Sequence, residues 1–170
     1  EGKGDYCLYH GNLSVIENEK AACWLCEKVF SELNIRFLIA GKAPSKKLKV
    51  LVKQNQNISL LPDPSKEELD QLIGKAQINI LPSFNATGIK IKLLSALSQG
   101  RHCLVNKATI EGTELGSLCQ IAETADEFKK AIKRLFEEPF SSGDILKREE
   151  LLSKNFDNKK NAELLIQWIY

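Results

Sequence analysis

Residues 77–106, QINILPSFNATGIKIKLLSALSQGRHCLVN, place a glycine and two lysines at the mouth of an apolar helix. Ile78, Ile80 and Leu81 form a short strand-like run that Pro82 stops, and the loop Ser83-Phe84-Asn85-Ala86-Thr87-Gly88 follows. The amides of Gly88, Ile89 and Lys90 then fall in a first helical turn, where N–H groups have no intrahelical partner. The helix dipole adds roughly half a positive charge there, so such a terminus suits an anion. A cation at Lys90 opposes that dipole, so its charge has no local structural reason. Lys92 lies roughly 200° further around the helix and reads as a solvated residue. Thr87 and Ser83 are helix caps or ligand contacts, and capping alone accounts for Thr87.

Two other turns join this set of candidates. Gly11-Asn12-Leu13 follows a first strand, and Gly11 is either a close-approach glycine or a simple turn residue. Gly41-Lys42 follows a second strand. His10 and His102 sit at strand ends with no Ser or Asp at triad spacing, and His102 reads as structural. Asp63 and Glu111 are the nearest acids in the other loops, and no paired carboxylates occur in the candidate loops. The chemistry on offer is anion binding, without visible acid/base machinery.

The elements that must position these residues alternate. Strands are predicted over 6–10, 37–40, 58–61, 78–81, 103–105 and, weakly, 118–122. Ser14 with Glu17, Ser65 with Glu68, and Thr124 with Glu127 have capping-box spacing and predict three helix starts. Ala22, Leu25, Cys26, Val29, Phe30 and Leu33 give the first helix its apolar stripe. Residues 45–53 form a short helix whose Lys46, Lys47, Lys49 and Lys53 read as a solvated face. Leu69, Leu72 and Ile73 mark the next buried face. Ile91, Leu93, Leu94, Ala96 and Leu97 mark the central helix, which Gly100 ends. Phe128, Ala131, Ile132 and Leu135 follow at i, i+3, i+4 and i+7. Two helices, over 144–154 and 159–169, close the chain. The expectation is an α/β, Rossmann-like, doubly wound parallel six-stranded sheet with helices on both faces and extra C-terminal helices. With strand order 3-2-1-4-5-6, the order reverses between the first and fourth strands, and their exits open a crevice.

Bulk properties are consistent with one globular domain. There are 170 residues, 43% hydrophobic, with 24 basic and 22 acidic side chains and a net charge of +2. That balance gives no push toward nucleic acid. No apolar run approaches the ~18 residues of a membrane span. The five cysteines are odd in number, and Cys7, Cys103 and Cys119 lie in apolar runs. They read as free thiols in a reducing compartment. Cys23 and Cys26 form a C-x-x-C inside a helical pattern, without a second pair at zinc spacing. The sequence has no Met and opens on Glu1-Gly2-Lys3-Gly4, which is expected of a piece of a longer protein whose N-terminal part is missing.

PSFNATGIKIKLLSALSQG resembles the signature segment of the nucleotide-sugar-binding, C-terminal domain of GT-B fold glycosyltransferases, retaining and family 4-like. YHGNL, FLIAGKAP and SKEELDQLIGKAQINILPS resemble that family's successive strand–turn segments, so the likeness spans most of residues 6–136. Many retaining members carry two glutamates eight positions apart in the signature. Thr87 and Ser95 stand in their places here. Gly88 keeps a family glycine, and Lys90 stands where a subset has a base that pairs with the donor diphosphate. The usual Gly-Arg of the first turn is Gly11-Asn12. Ser95, in place of the glutamate that holds the ribose, offers one weaker hydrogen bond.

The resemblance implies transfer of a hexosyl group from a nucleoside-diphosphate sugar to a glycan or lipid-linked acceptor in polysaccharide biosynthesis. No metal and no cofactor beyond that donor are expected. Gly88, Ile89 and Lys90 would hold the diphosphate, with Gly11 and Asn12 opposite. Gly41, Lys42, Thr87 and Ser95 complete the expected donor site. Stabilising the departing diphosphate would be this domain's share of catalysis. The acceptor domain lies in the missing half, so this chain alone is expected to transfer nothing. The full-length protein is expected to be cytoplasmic, with peripheral membrane association. The alternative is a non-catalytic nucleotide-sugar-binding or scaffold domain that has lost turnover. A third reading, a Rossmann-type domain for another nucleotide, lacks the G-x-G-x-x-G fingerprint that NAD use needs.

Overall fold

A computed structural model describes residues 1–85 and 91–155. Six parallel strands form one sheet in the order β3-β2-β1-β4-β5-β6. They are β1 (Cys7–Asn12), β2 (Phe37–Lys42), β3 (Ile58–Pro62), β4 (Ile78–Ile80), β5 (His102–Val105) and β6 (Gln120–Ile121). The helices are α1 (Ile16–Trp24), α2 (Lys46–Lys53), α3 (Lys66–Lys75), α4 (Ile91–Gln99), α5 (Lys107–Ile110), α6 (Ala125–Glu137) and α7 (Ser142–Asn155). The α/β alternation, the parallel sheet and the reversal between β1 and β4 are those expected from the sequence. The closing helix expected over 159–169 lies outside the described residues.

Central strands are buried on both sides, which is why they read as continuous apolar runs rather than alternating ones. Leu8, Tyr9, Ile39, Ile78, Ile80 and Leu104 are all solvent-free. One helical layer joins α1 to α2 and α6, and the other joins α3, α4 and α7. Phe30 stacks on Phe37 with centroids 3.9 Å apart, and Trp24 meets Phe128 edge-on at 5.2 Å.

Two of the three capping boxes form as read. Ser65 and Glu68 exchange both bonds at the start of α3, and Thr124 and Glu127 do so at α6. The first does not, because Ser14 donates its hydroxyl and its amide to Asn12 Oδ1. Val15 becomes the N-cap, without a side-chain bond. Beyond Trp24 the helix widens into a π turn (Leu25–Val29) and then tightens into a 3-10 turn (Phe30–Glu32). Lys46, Lys47, Lys49 and Lys53 are exposed, as expected. All five cysteines are free thiols, four of them buried. Among the described residues no cluster could hold a metal ion, and no helix is long and apolar enough to cross a membrane.

Candidate site at the fork between the first and fourth strands

β1 pairs with β2 along its whole length, from Cys7–Phe37 to Asn12–Lys42. It pairs with β4 only at Cys7–Ile78 and Leu8–Asn79. The strands therefore part after Leu8, and the last four residues of β1 line a fork at the C-terminal edge of the sheet. That reversal point is where open α/β sheets bind ligands.

Four of the residues expected at the site come together there. Gly11 lies beside Gly41 and Asn12 beside Lys42, as register partners in β1 and β2. Their local roles differ. A Cβ on Gly41 would run into the Gly11 carbonyl oxygen and press on the Leu13 side chain, so packing alone requires glycine there. A Cβ on Gly11 would meet only the Asn18 side chain at 3.4 Å, an ordinary contact. Gly11 is thus not fixed by packing. The Asn12 side chain is held locally by Ser14, and its carbonyl accepts a bond from Asn18 Nδ2 at 3.0 Å. Lys42 is exposed. After it, Ala43 has φ 51°, and its amide donates to Asp63 Oδ1 at 3.0 Å. Asp63 therefore braces the exit of β2.

On the other side of the fork, the exit of β4 is clamped. Ser83 donates its amide to Asn106 Oδ1 at 2.9 Å, and its carbonyl accepts from Asn106 Nδ2 at 2.8 Å. Thr109 Oγ1 lies 2.8 Å from both Leu81 O and Asn106 Oδ1, with one proton to donate between them. Phe84 stands half-exposed, with its ring 5.9 Å from Trp24 in edge-on contact. Thr87, Gly88, Ile89 and Lys90 lie outside the described residues. Ser95 is half-buried in α4, and its hydroxyl donates to the Ile91 carbonyl at 3.2 Å.

Two sequence expectations for α4 are corrected. Ile91 is 77% exposed rather than part of the buried stripe. Lys92 is not on a solvated face: its Nζ donates to Asn18 Oδ1 at 3.0 Å and lies 3.4 Å from Tyr9 Oη. It also sits 5.0 Å above the Tyr9 ring. Tyr9 Oη in turn donates to Asn18 O at 2.8 Å. A cation from α4 thus reaches across the fork to β1 and α1.

His10, in β1 between Tyr9 and Gly11, is only 3% exposed, and its Nε2 has no hydrogen-bond partner. Burial pulls its pKa down to about 4, with the Lys92 charge contributing, so the ring is neutral at pH 7. His102 does have structural partners: its Nε2 lies 2.9 Å from Glu138 O, and its ring meets Phe140 edge-on.

Asn18 and Asn106 are the fork residues that sequence reasoning missed, while Lys92 and His10 were named there but given no role at the site. Lys92 offered one signal, as a second lysine in the first turn of an apolar helix. Asn18 and Asn106 bond residues distant in sequence, Lys92 and Ser83, whereas His10 Nε2 has no partner. Two cavities also occur at the opposite end of the sheet, of about 190 and 470 Å³, walled by His102, Cys103, Gly100, Phe140 and Arg148 among others. Arg148, the buried cation shared by both, is already committed to the Gly100 and Arg101 carbonyls and the Phe140 ring.

No family model matches this chain. An uncharacterized 44.6 kDa protein in the cps region of Klebsiella pneumoniae is 27% identical over 172 residues, covering 90% of this chain and 43% of that protein. AviGT4, a glycosyltransferase involved in avilamycin A biosynthesis, superposes with a TM-score of 0.59 at 15% identity, covering 86% of this chain and 45% of its own. The GtfA/B complex gives 0.56 at 15% identity, over 81% of this chain and 30% of that one. The UDP-GlcNAc 2-epimerase of Methanocaldococcus jannaschii, solved with UDP-GlcNAc and UDP, gives 0.54 at 14% identity, over 88% and 44%. The chain spans less than half the length of each of these proteins. What it shares with these solved structures is the Rossmann-like α/β fold, one that a glycosyltransferase carries.

Proposed function

We propose that this chain is the nucleotide-sugar-binding domain of a glycosyltransferase, the C-terminal half of a two-domain GT-B, family 4-like protein. The observation that carries the reading is the fork itself: β1 and β4 part after Leu8, directly below the exits that bear Gly11, Asn12 and the Ser83 loop. A diphosphate bound there takes amide hydrogen bonds from Gly88 and Ile89 and charge from Lys90. Gly11 and Asn12 hold it from the β1 exit, and Thr87 and Ser95 are assigned as further donor contacts. Gly41 and Lys42 border the pocket through β2. The full-length protein then moves a hexosyl group to a glycan or lipid-linked acceptor held by its other domain, working in the cytoplasm at the membrane surface. The donor is a substrate, and neither metal nor cofactor is needed.

A second reading has an observation in its favour. Thr87 and Ser95 supply no carboxylate where the resemblance expects two, and the Ser95 hydroxyl is taken up by its own helix. On that reading the domain binds a nucleotide sugar without turnover. Calorimetry with UDP, GDP and their sugars tests both readings. Saturable binding that Lys90→Ala abolishes supports a donor site. Binding combined with no sugar transfer by the full-length protein selects the second reading. No saturable binding of any of these ligands overturns both.

A further inference from the structure

Burying a hydrogen-bonding nitrogen without a partner costs about 1–3 kcal/mol, and native folds keep few such atoms. His10 Nε2 is one of three such side-chain atoms among the described residues. It stands two residues past the last β1–β4 pair, where the sheet forks. The neighbouring strand residues Leu8, Tyr9, Ile39 and Ala40 are fully buried and apolar or aromatic. A leucine at position 10 would suit that setting better than an imidazole. The residue type therefore conflicts with its surroundings, which is the pattern of a functional position.

We propose that His10 contacts the ligand, its Nε2–H donating a hydrogen bond to a phosphate oxygen of the nucleoside diphosphate at the fork. This rests on the nucleotide-sugar reading above and adds a residue to it. The Lys92 ammonium stands within electrostatic reach of the ring, so a cationic ligand is repelled there and an anionic oxygen is favoured. The ring is neutral at pH 7 and serves as a donor without adding a second fixed charge beside Lys92. The ligand then satisfies a buried nitrogen that folding leaves unpaired.

The test uses the 170-residue chain, its His10→Leu and His10→Gln variants, and three probes: UDP, GDP and inorganic pyrophosphate. His10→Leu is expected to melt at the wild-type temperature or above it, because it removes an unpaired buried polar atom. Its affinity for the binding probes is expected to fall about tenfold or more, as for loss of a hydrogen bond to a charged group. His10→Gln, which keeps an N–H donor, is expected to recover part of that affinity. In the wild-type chain, ligand is expected to shift the imidazole nitrogen signals of His10 and leave those of His102 in place. Unchanged affinity in His10→Leu overturns the proposal while leaving the nucleotide reading intact. A His10 signal that does not move on binding overturns it as well, even where the variants bind weakly. A wild-type chain that binds none of the probes overturns both.

Discussion

Lys92 Nζ, on the first turn of α4, donates to Asn18 Oδ1 of α1 at 3.0 Å. This bond spans the fork and ties α4 to α1. Asn18 Nδ2 passes the link on to the Asn12 carbonyl at the end of β1. One lysine thus couples three elements at the candidate site.

Lys92→Met keeps most of the side-chain length and removes the ammonium. It is expected to destabilise the chain by about 1–3 kcal/mol, because the Asn18 and Tyr9 oxygens lose a charged donor. At about 2–4 °C per kcal/mol for a domain of this size, thermal melts resolve the change. The same variant is expected to raise the His10 pKa from about 4 toward its ordinary value, since a repelling cation has gone while burial remains.

Stability is expected to depend on pH through His10. Its pKa is about 4 when folded and 6.5 when unfolded. Between those values the unfolded chain binds the extra proton, so stability falls as pH drops from 6.5 to 4 and is intact above that window. A shift of this size corresponds to roughly 3 kcal/mol at most. Denaturant melts across the window are expected to show this slope, and His10→Gln is expected to remove it. The lowered carboxyls of Asp70, Asp126, Glu127 and Asp144 lose their contributions only as pH falls below their ordinary values of 3.8 to 4.5, so the slope from 6.5 down to 4.5 is the part that reports His10.

Gly11 and Gly41 are expected to separate under the same substitution. Gly41→Ala drives a methyl group into the Gly11 carbonyl and is expected to cost about 3 kcal/mol or more of stability. Gly11→Ala meets only the Asn18 side chain and is expected to melt near wild type. Loss of nucleotide affinity in a well-folded Gly11→Ala identifies backbone approach as the role of that glycine.

Asn106→Ala is expected to cost about 1–3 kcal/mol by leaving the Ser83 amide and carbonyl without their side-chain partner. Hydrogen exchange checks it locally: the Ser83 amide is expected to lose protection, while amides in β2 keep theirs.

The fold was legible because its signals are local. Apolar runs between turn residues marked six strands, and Ser65 with Glu68 and Thr124 with Glu127 marked helix starts. The first box misled because Asn12 competes for Ser14, a contact set by the β1 exit rather than by the helix. The site was legible only as a place. Gly11, Asn12, Gly41 and Lys42 meet as strand exits must, yet the need for glycine at position 41 depends on how closely β1 and Leu13 approach it. Lys92 and Asn18 are 74 positions apart, so no spacing rule joins them. Helical geometry placed Lys92 away from Lys90, but it did not show that the long side chain turns back across the fork.

The central claim is that a nucleoside diphosphate binds where β1 and β4 part. Amide chemical-shift mapping of the 170-residue chain with UDP and with GDP tests it most directly. The account predicts that the largest shifts fall on Gly11, Asn12, Ser83 and Lys92. Shifts gathered instead on Gly100, Arg101 and Phe140, at the far end of the sheet, would contradict it.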